Sequence, residues 1–447
     1  MRTSLRIGGG AGFAGDRLDA AVELARHGEL DYLVLECLAE RTIALAQLRR
    51  RRDPAAGYDT RLVERVESLL PILATHRVRL VSNFGAANPL AAADAIVDVA
   101  RRMRIPVKVA AVTGDDVLDA LDPQAPAMES GAPLASHGPI VSANAYLGAD
   151  AMLPALASGA DIVVAGRVAD PSLIVAPLAY EYGWDLEDAD RMARGTAVGH
   201  LLECAGQLSG GYFADPGRKD VPGLATLGFP FADVDPNGDA TLGKVAGTGG
   251  RITRATATEQ LLYEVTDPHG YLTPDVTADF SGITLDEVAP DRVAVRGARG
   301  RARPPQLKVS VGYHAGYVGE GEIGYAGANA LARARLAGDI VEARLRGRFP
   351  SLRVDLVGST SLHGRSMDTA ERPYEVRLRV AARTSSREEA ALVGDEVEAL
   401  YTNGPAGGGG ARKYVHEQIG IVSTLIDRDR VQPQVTVREW RDRAEAA

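Results

Sequence analysis

The chain has 447 residues, 45% of them hydrophobic and 24% charged, with a net charge of −9. That composition is ordinarily globular and leaves room for two or three domains with a sizeable core. The acidic balance argues against a nucleic-acid partner, which would require a basic patch. Two cysteines, Cys37 and Cys204, with no CxxC spacing argue against a disulfide framework or structural zinc site and fit a reducing cytoplasm.

No apolar run is long enough for a membrane span, and the N-terminus lacks the apolar segment of a signal peptide. The expectation is therefore a cytoplasmic protein with no membrane partner. Only five of the 50 basic residues are lysine, so a retained lysine such as Lys244 or Lys413 draws notice as an anion binder.

Strand and helix alternate through the first part. Leu5–Ile7 reads as a short strand, followed by the glycine-rich GAGFAG (Gly10 to Gly15) and a helix from Asp16 to Arg26. Further strands are expected at DYLVLE (31–36), VRLVSN (78–83), PVKVAAV (106–112), PIVSAN from Pro139 and DIVVAG (161–166). Amphipathic segments such as AAADAIVDVARRM separate them. Short apolar strands spaced by helices predict a mostly parallel sheet covered on both faces, with the site at the C-terminal strand ends. Those ends carry Glu36, Asn83, Thr113 and Arg167.

Residues 195–290 give no domain class. After them the order changes: strand (306–314), helix, two strands, helix, strand (QIGIVSTLI), with QVTVREW as an added edge strand. This β-α-β-β-α-β order predicts a ferredoxin-like domain. The expected division is an α/β domain over 1–290 and an α+β ferredoxin-like domain over 291–447.

GAGFAG matches the dinucleotide pattern G-x-G-x-x-G, and Glu36 closes the next strand about where the ribose-binding acid would stand. Asp16 counts against that reading, because a carboxylate in the first helical turn repels a pyrophosphate approaching the same N–H groups. Gly10 and Gly12 are expected instead to present backbone N–H groups to a carboxylate or oxyanion, with Glu36 beside them as an acid.

In GRVADPSL, Arg167 stands past a buried strand where it could grip a substrate anion. Asp170 before Pro171 reads first as a helix N-cap and second as a catalytic acid. In GHLLECAGQLSGG, His200, Glu203, Cys204 and Gln207 share one helical face, at spacings i, i+3, i+4 and i+7. A His–Glu pair suits general acid–base work; two ligands are too few for a metal site, and none is expected. Gln207 is placed among the substrate contacts. Lys244 beside the glycines of GKVAGTGG, and Asp275 in YLTPDVTADF, are candidate binding groups. TNGPAGGGGARK, with Gly408 and Lys413, reads as a ligand-wrapping loop.

Taken together, GG-AGFAGD, GRVAD, GHLLECAGQLSGG, GTGG, YLTPDVTADF and NGPAGGGG, spread from residue 8 to 410, resemble the acyclic terpene utilisation (AtuA) family. Ser209 stands where that pattern has threonine, and the hydroxyl is kept. The resemblance implies a place in the breakdown of citronellol- or geraniol-type compounds through acyl-CoA intermediates, without fixing a reaction, cofactor or catalytic residue.

The leading expectation is an enzyme of lyase, hydratase or hydrolase type. His200 and Glu203 would move protons, with Glu36 and Asp170 as further acids, on a small acyl substrate. A nicotinamide or flavin enzyme using residues 10–15 and a non-catalytic subunit of an acyl-CoA pathway stay open as alternatives. A homo-oligomer is compatible with all three, and no cofactor is implied.

Overall fold

The computed structural model describes residues 3–364 and 373–441. Its strands are β1 (Leu5–Ala11), β2 (Tyr32–Leu35), β3 (Arg79–Ser82), β4 (Val107–Thr113), β5 (Ile140–Ala145), β6 (Ile162–Ala165), β7 (Pro230–Val234), β8 (Ala240–Lys244), β9 (Tyr271–Leu272), β10 (Thr277–Asp279), β11 (Thr284–Ala289), β12 (Arg292–Arg296), β13 (Arg299–Arg301), β14 (Gln306–Ala326), β15 (Leu352–Val357), β16 (Glu375–Thr384), β17 (Gly409–Asp427) and β18 (Gln434–Trp440). Its helices are α1 (Leu18–His27), α2 (Glu40–Arg52), α3 (Leu62–His76), α4 (Pro89–Met103), α5 (Ala149–Ala157), α6 (Ser172–Tyr182), α7 (Ala189–Glu203), α8 (Arg254–Leu262), α9 (Ala330–Leu345), α10 (Arg387–Glu398) and α11 (Leu400–Asn403).

The described residues within Met1–Leu134, Val141–Gly312 and Ile421–Ala447 form one compact unit, and those of Ala135–Ile140 and Tyr313–Gly420 a second. The chain passes between units at 134/135, at the start of β5, within β14 and within β17. The boundary expected at 290/291 falls in the turn of the hairpin β11–β12, whose strands pair from Thr284–Arg296 to Ala289–Arg292.

The first unit is a mixed α/β structure on a ten-stranded sheet of order β11-β12-β8-β7-β1-β2-β3-β6-β4-β18. Only β1, β2, β3, β6 and β4 run parallel to their neighbours. The remaining pairs, β11–β12, β12–β8, β7–β8, β1–β7 and β4–β18, are antiparallel. The expectation of a mostly parallel sheet is therefore corrected to a mixed sheet with a parallel centre.

Two further placements differ from the sequence reading. PIVSAN forms β5, which pairs with β14 outside the large sheet. QVTVREW is an edge strand, but of the first unit's sheet beside β4.

The parallel centre is apolar on both faces. Leu33, Leu35, Leu80, Val109, Ala111, Ile162 and Val164 pack with α1, α3 and α4 in one core cluster. The intervening Val34, Val81, Ala110 and Val163 are also buried, and α5, α6 and α7 lie against this side. Continuous apolar strands of this kind are what helices on both faces require. Because register keeps Leu35, Ser82 and Val164 in line, the residues that follow them gather at one edge.

The second unit runs β14, α9, β15, β16, α10, β17, with sheet order β15-β16-β14-β17. Ile323, Leu378, Val380, Val341 and Val393 belong to its core. Among the described residues, no helix is long and apolar enough to cross a membrane.

Candidate active site

The glycine turn after β1 closes on itself. Asp16 accepts a hydrogen bond from the Gly12 N–H (2.8 Å) and another from the Arg17 N–H (2.8 Å). It does not cap a helix from residue 16: α1 begins at Leu18 with Arg17 as its N-cap. The glycines serve close packing. A Cβ on Gly9 would stand 2.5 Å from the Leu202 carbonyl oxygen, and one on Gly12 2.7 Å from the Cys204 backbone. The end of α7 thus fills the space a pyrophosphate would need, and the Gly12 donor already has its acceptor. Gly10 faces Leu33 and Leu35 and is internal to the sheet.

At the strand ends the side chains interlock. Glu36, buried, accepts from the Leu38 N–H (2.8 Å) and from Asn83 Nδ2 (2.8 Å), while Asn83 Oδ1 accepts from the Cys37 N–H (2.7 Å). Asn83, fully buried, therefore holds Glu36 in place. Burial first, then the nearby Asp170 charge, pushes the Glu36 carboxyl well above its ordinary value against the pull of Arg167.

Arg167 is 2% exposed. Its guanidinium donates to the Leu38 carbonyl, pairs with Asp170 at 3.0 Å and lies 4.1 Å over the Tyr146 ring. Its backbone N–H donates to Asp115 (2.9 Å), a buried carboxyl raised by burial to about 6. The expected substrate-binding arginine is an internal cation, because the acidic ends of β2 and β6 need a counter-charge there.

Asp170 does not cap α6. Pro171 is the N-cap and has no side-chain cap bond. The Asp170 carboxylate turns to Arg167, keeps a third of its side chain exposed, and is raised by burial against that arginine's pull.

Glu40 and Tyr146, which the sequence reading did not single out, complete this layer. Tyr146 donates to Glu40 and sits between Arg167 and Lys308. Burial pushes the Glu40 carboxyl up, but the Arg167 charge and the Tyr146 hydroxyl outweigh it and hold it at about 2.

On the face that His200, Glu203, Cys204 and Gln207 share, exposure rises along the chain: α7 is buried along Gly195–Leu202 with His200 1% exposed, whereas Glu203, Cys204 and Gln207 are partly exposed. His200 Nδ1 meets Glu203 Oε1 at 2.9 Å, and Nε2 meets the Leu261 carbonyl at 3.2 Å. A carbonyl only accepts, so Nε2 carries hydrogen and the Nδ1–Glu203 contact holds one shared proton. With both nitrogens engaged and Tyr271 and Phe280 against its ring (5.2 and 5.8 Å), His200 positions and tunes Glu203.

Burial lifts the Glu203 carboxyl to about 7 against the pull of His200, with Asp170 and Glu264 adding to the rise. Its second oxygen, Oε2, is buried with no hydrogen-bond partner.

Beyond Glu203 the chain bends. Cys204 ends α7, Ala205 takes a left-handed φ of 42°, and Ala205–Gln207 form a short 3-10 turn. Cys204 and Gln207 then line a cleft of about 520 Å³ with Gly12, Phe13, Tyr212, Leu227, Phe229 and Tyr263, a size suited to a small apolar ligand.

The remaining candidates have partners within the chain or lie in the second unit. Lys244 donates to the Thr248 carbonyl (2.9 Å) and pairs with Asp291 (3.4 Å), so it staples its own turn. Asp275 accepts from the Ala149 N–H (2.7 Å) and from Ser172, joining the starts of α5 and α6. Gly408 and Lys413 lie in the second unit, where Lys413 pairs with Asp395 (3.0 Å) and Glu398 (2.6 Å) of α10. Among the described residues, no group of three or more His, Cys, Asp or Glu side chains has a metal-holding arrangement.

The model of the family described as acyclic terpene utilisation family protein AtuA matches residues 5–437. The chain belongs to the AtuA family. No curated protein and no solved structure matches it. In this AtuA-family chain, GRVAD supplies Arg167 and Asp170, GHLLECAGQLSGG supplies His200, Glu203 and Gln207, and YLTPDVTADF supplies Tyr271 and Asp275.

The cysteines of this AtuA-family member are both free. Burial, with the Glu203 charge next, pushes the Cys204 thiol well up, and thiolate is the reactive form. Iodoacetamide at pH 8 is therefore expected to label native Cys204 at least about tenfold more slowly than the urea-unfolded chain. Equal rates, read by mass spectrometry, would mark Cys204 as an activated nucleophile instead.

Proposed function

We propose that the chain is an enzyme of acyl or terpenoid-type carboxylate metabolism. It works by acid–base chemistry of the lyase, hydratase or hydrolase kind on a small branched or unsaturated acyl substrate, free or as its thioester. One observation carries this reading: a largely enclosed carboxyl, Glu203, held near neutrality with one oxygen on His200 and the other buried without a partner. A carboxyl poised near the operating pH is what proton transfer to carbon or water requires.

The acyl end would enter the apolar cleft between the glycine turn and Tyr263, one residue from Glu203. Glu36 and Asp170, both raised, serve as further acids. Family membership supplies acyclic terpene utilisation, which gives the substrate class. The element and sheet order of the second unit further support reading it as a ferredoxin-like domain.

The test is solvent-deuterium incorporation. The protein is incubated in D₂O with branched, unsaturated acyl thioesters of the citronellyl and geranyl type and with the free acids. Mass gain in recovered substrate, or water addition across the double bond, is the expected result. No exchange and no turnover with any of these compounds would remove the reading.

The oxidoreductase alternative finds no support in the glycine turn, whose Gly12 N–H is held by Asp16 and whose open side is filled by Cys204.

A further inference from the structure

A second cavity in the first unit, of about 980 Å³, shares Tyr263 with the acyl cleft. A smaller cavity bridges the two, sharing Gln207, Gly211 and Tyr212 with the cleft and Phe213 and Glu259 with the larger groove. The groove is basic. Arg218, Lys219, Arg251 and Arg254 line it against two carboxylates, Glu259 and Glu264. In a chain of net charge −9, four cations on one wall are a local reversal of sign that attracts anions.

Lys219 is balanced by Glu259 and lies 4.7 Å over the Phe213 ring. Among the described residues, the guanidinium groups of Arg218, Arg251 and Arg254 have no hydrogen-bond or ion-pair partner, and Arg251 Nε is shielded from solvent as well. A shielded donor left unmatched is costly, and planar forks of this kind match phosphate oxygens in pairs. The first turn of the nine-residue helix α8, with Thr253, Arg254 and Ala255 on the wall, adds the positive end of a helix dipole. The volume exceeds what one small anion fills, and Phe213 offers an aromatic face.

We propose that this groove binds the phosphate-bearing handle of the substrate whose acyl end occupies the neighbouring cleft. The inference rests on the acyl reading above and narrows it: the substrate is a thioester on a nucleotide-type carrier, and the free acid is not used. Arg218, Arg251 and Arg254 take the phosphates, and Phe213 takes the base.

Coenzyme A, adenosine diphosphate and inorganic pyrophosphate are titrated calorimetrically into the full-length protein and into Arg218→Ala/Arg254→Ala. Both substituted side chains are exposed, so the fold is expected to persist, checked by thermal unfolding. Wild type is expected to bind coenzyme A and adenosine diphosphate more tightly than pyrophosphate. The double variant is expected to weaken coenzyme A at least about tenfold, with a shallower salt dependence.

Absence of binding by all three probes, or equal affinities in wild type and variant, overturns the proposal. Pyrophosphate binding as tightly as coenzyme A removes the nucleotide part. A separate comparison of acyl-CoA with the truncated acyl-pantetheine thioester keeps the two readings apart. Turnover of both with equal KM sinks the handle and leaves the acid–base reading. Arginine-dependent coenzyme A binding without turnover of either does the reverse.

Discussion

Glu203→Gln is expected to lower kcat/KM for the acyl substrate by about a thousandfold, within the range that a positioned proton-transfer group contributes. Glutamine keeps the shape and offers His200 Nδ1 a hydrogen bond, so the substitution removes the transferable proton and little else. In the wild type, Glu203 acting as base must be ionised. The rate should therefore fall about tenfold per pH unit below about 7 and level off above it.

His200 draws the Glu203 carboxyl down. His200→Asn should accordingly move that limb upward, a readout that a packing role alone would not shift. Stability gives an independent check. Glu203 is raised in the folded state, so the native protein binds the extra proton and loses stability as pH rises toward 7. Glu203→Gln lacks that loss and should gain on wild type between pH 5 and pH 8. A pH profile flat through 7, or a variant rate within tenfold of wild type, would reassign the proton transfer, with Asp170 the next group to examine.

Arg167→Met is the second large effect, and it acts on the fold. Methionine fills most of the volume but leaves Asp170 and buried Glu36 without their counter-charge, and the Leu38 carbonyl and Tyr146 ring without their cation. Breaking a buried pair from one side costs about 3–5 kcal/mol. About 3 kcal/mol is expected here, because Asp170 keeps a third of its side chain in water.

The deficit should depend on pH with a definite sign. Without Arg167 the Glu36 and Asp170 carboxyls rise further above their unfolded values. The native state then holds protons the unfolded chain gives up, and stability falls as pH increases. Urea midpoints at pH 5 and pH 8 should show the larger loss at pH 8. A loss under about 1 kcal/mol, or one equal at both pH values, would show that the guanidinium is not the counter-charge described.

The parallel centre was readable because β2, β3, β4 and β6 are short apolar runs with helices between them, and their ends carry Glu36, Asn83 and Arg167 as expected. The antiparallel half was hidden by short strands with mixed composition. Yet DPNGD between β7 and β8, with Gly238 at φ 88°, is a hairpin signal that could have exposed it. The sequence pattern marks β14 only to residue 314, because the glycines of GYVGEGEIGYA carry the signature of a loop, yet Tyr317–Ala326 pair continuously with β16.

At the site, spacing on α7 placed His200 beside Glu203. It could not show that His200 is enclosed with both ring nitrogens engaged, which makes it a support for Glu203. Arg167, Lys244 and Asp275 were legible as charged groups, but whether a charge faces a ligand or another part of the chain is decided by packing across distant segments. Glu40 and Tyr146 gave no local signal, since each matters only through the other.

The placement of β18 bears on how the protein comes to be made. The first unit's sheet is bordered by a strand from Gln434–Trp440, paired along the whole of β4 more than 300 residues earlier. That border cannot close until Gln434–Trp440 has been made, and until then β4 presents an open row of backbone donors and acceptors. The second unit is nearly contiguous, from Tyr313 to Gly420, and can organise while the earlier segments still wait for their last partner. The residues of the second unit are thus complete at Gly420, before the strand that borders the first unit's sheet has been made.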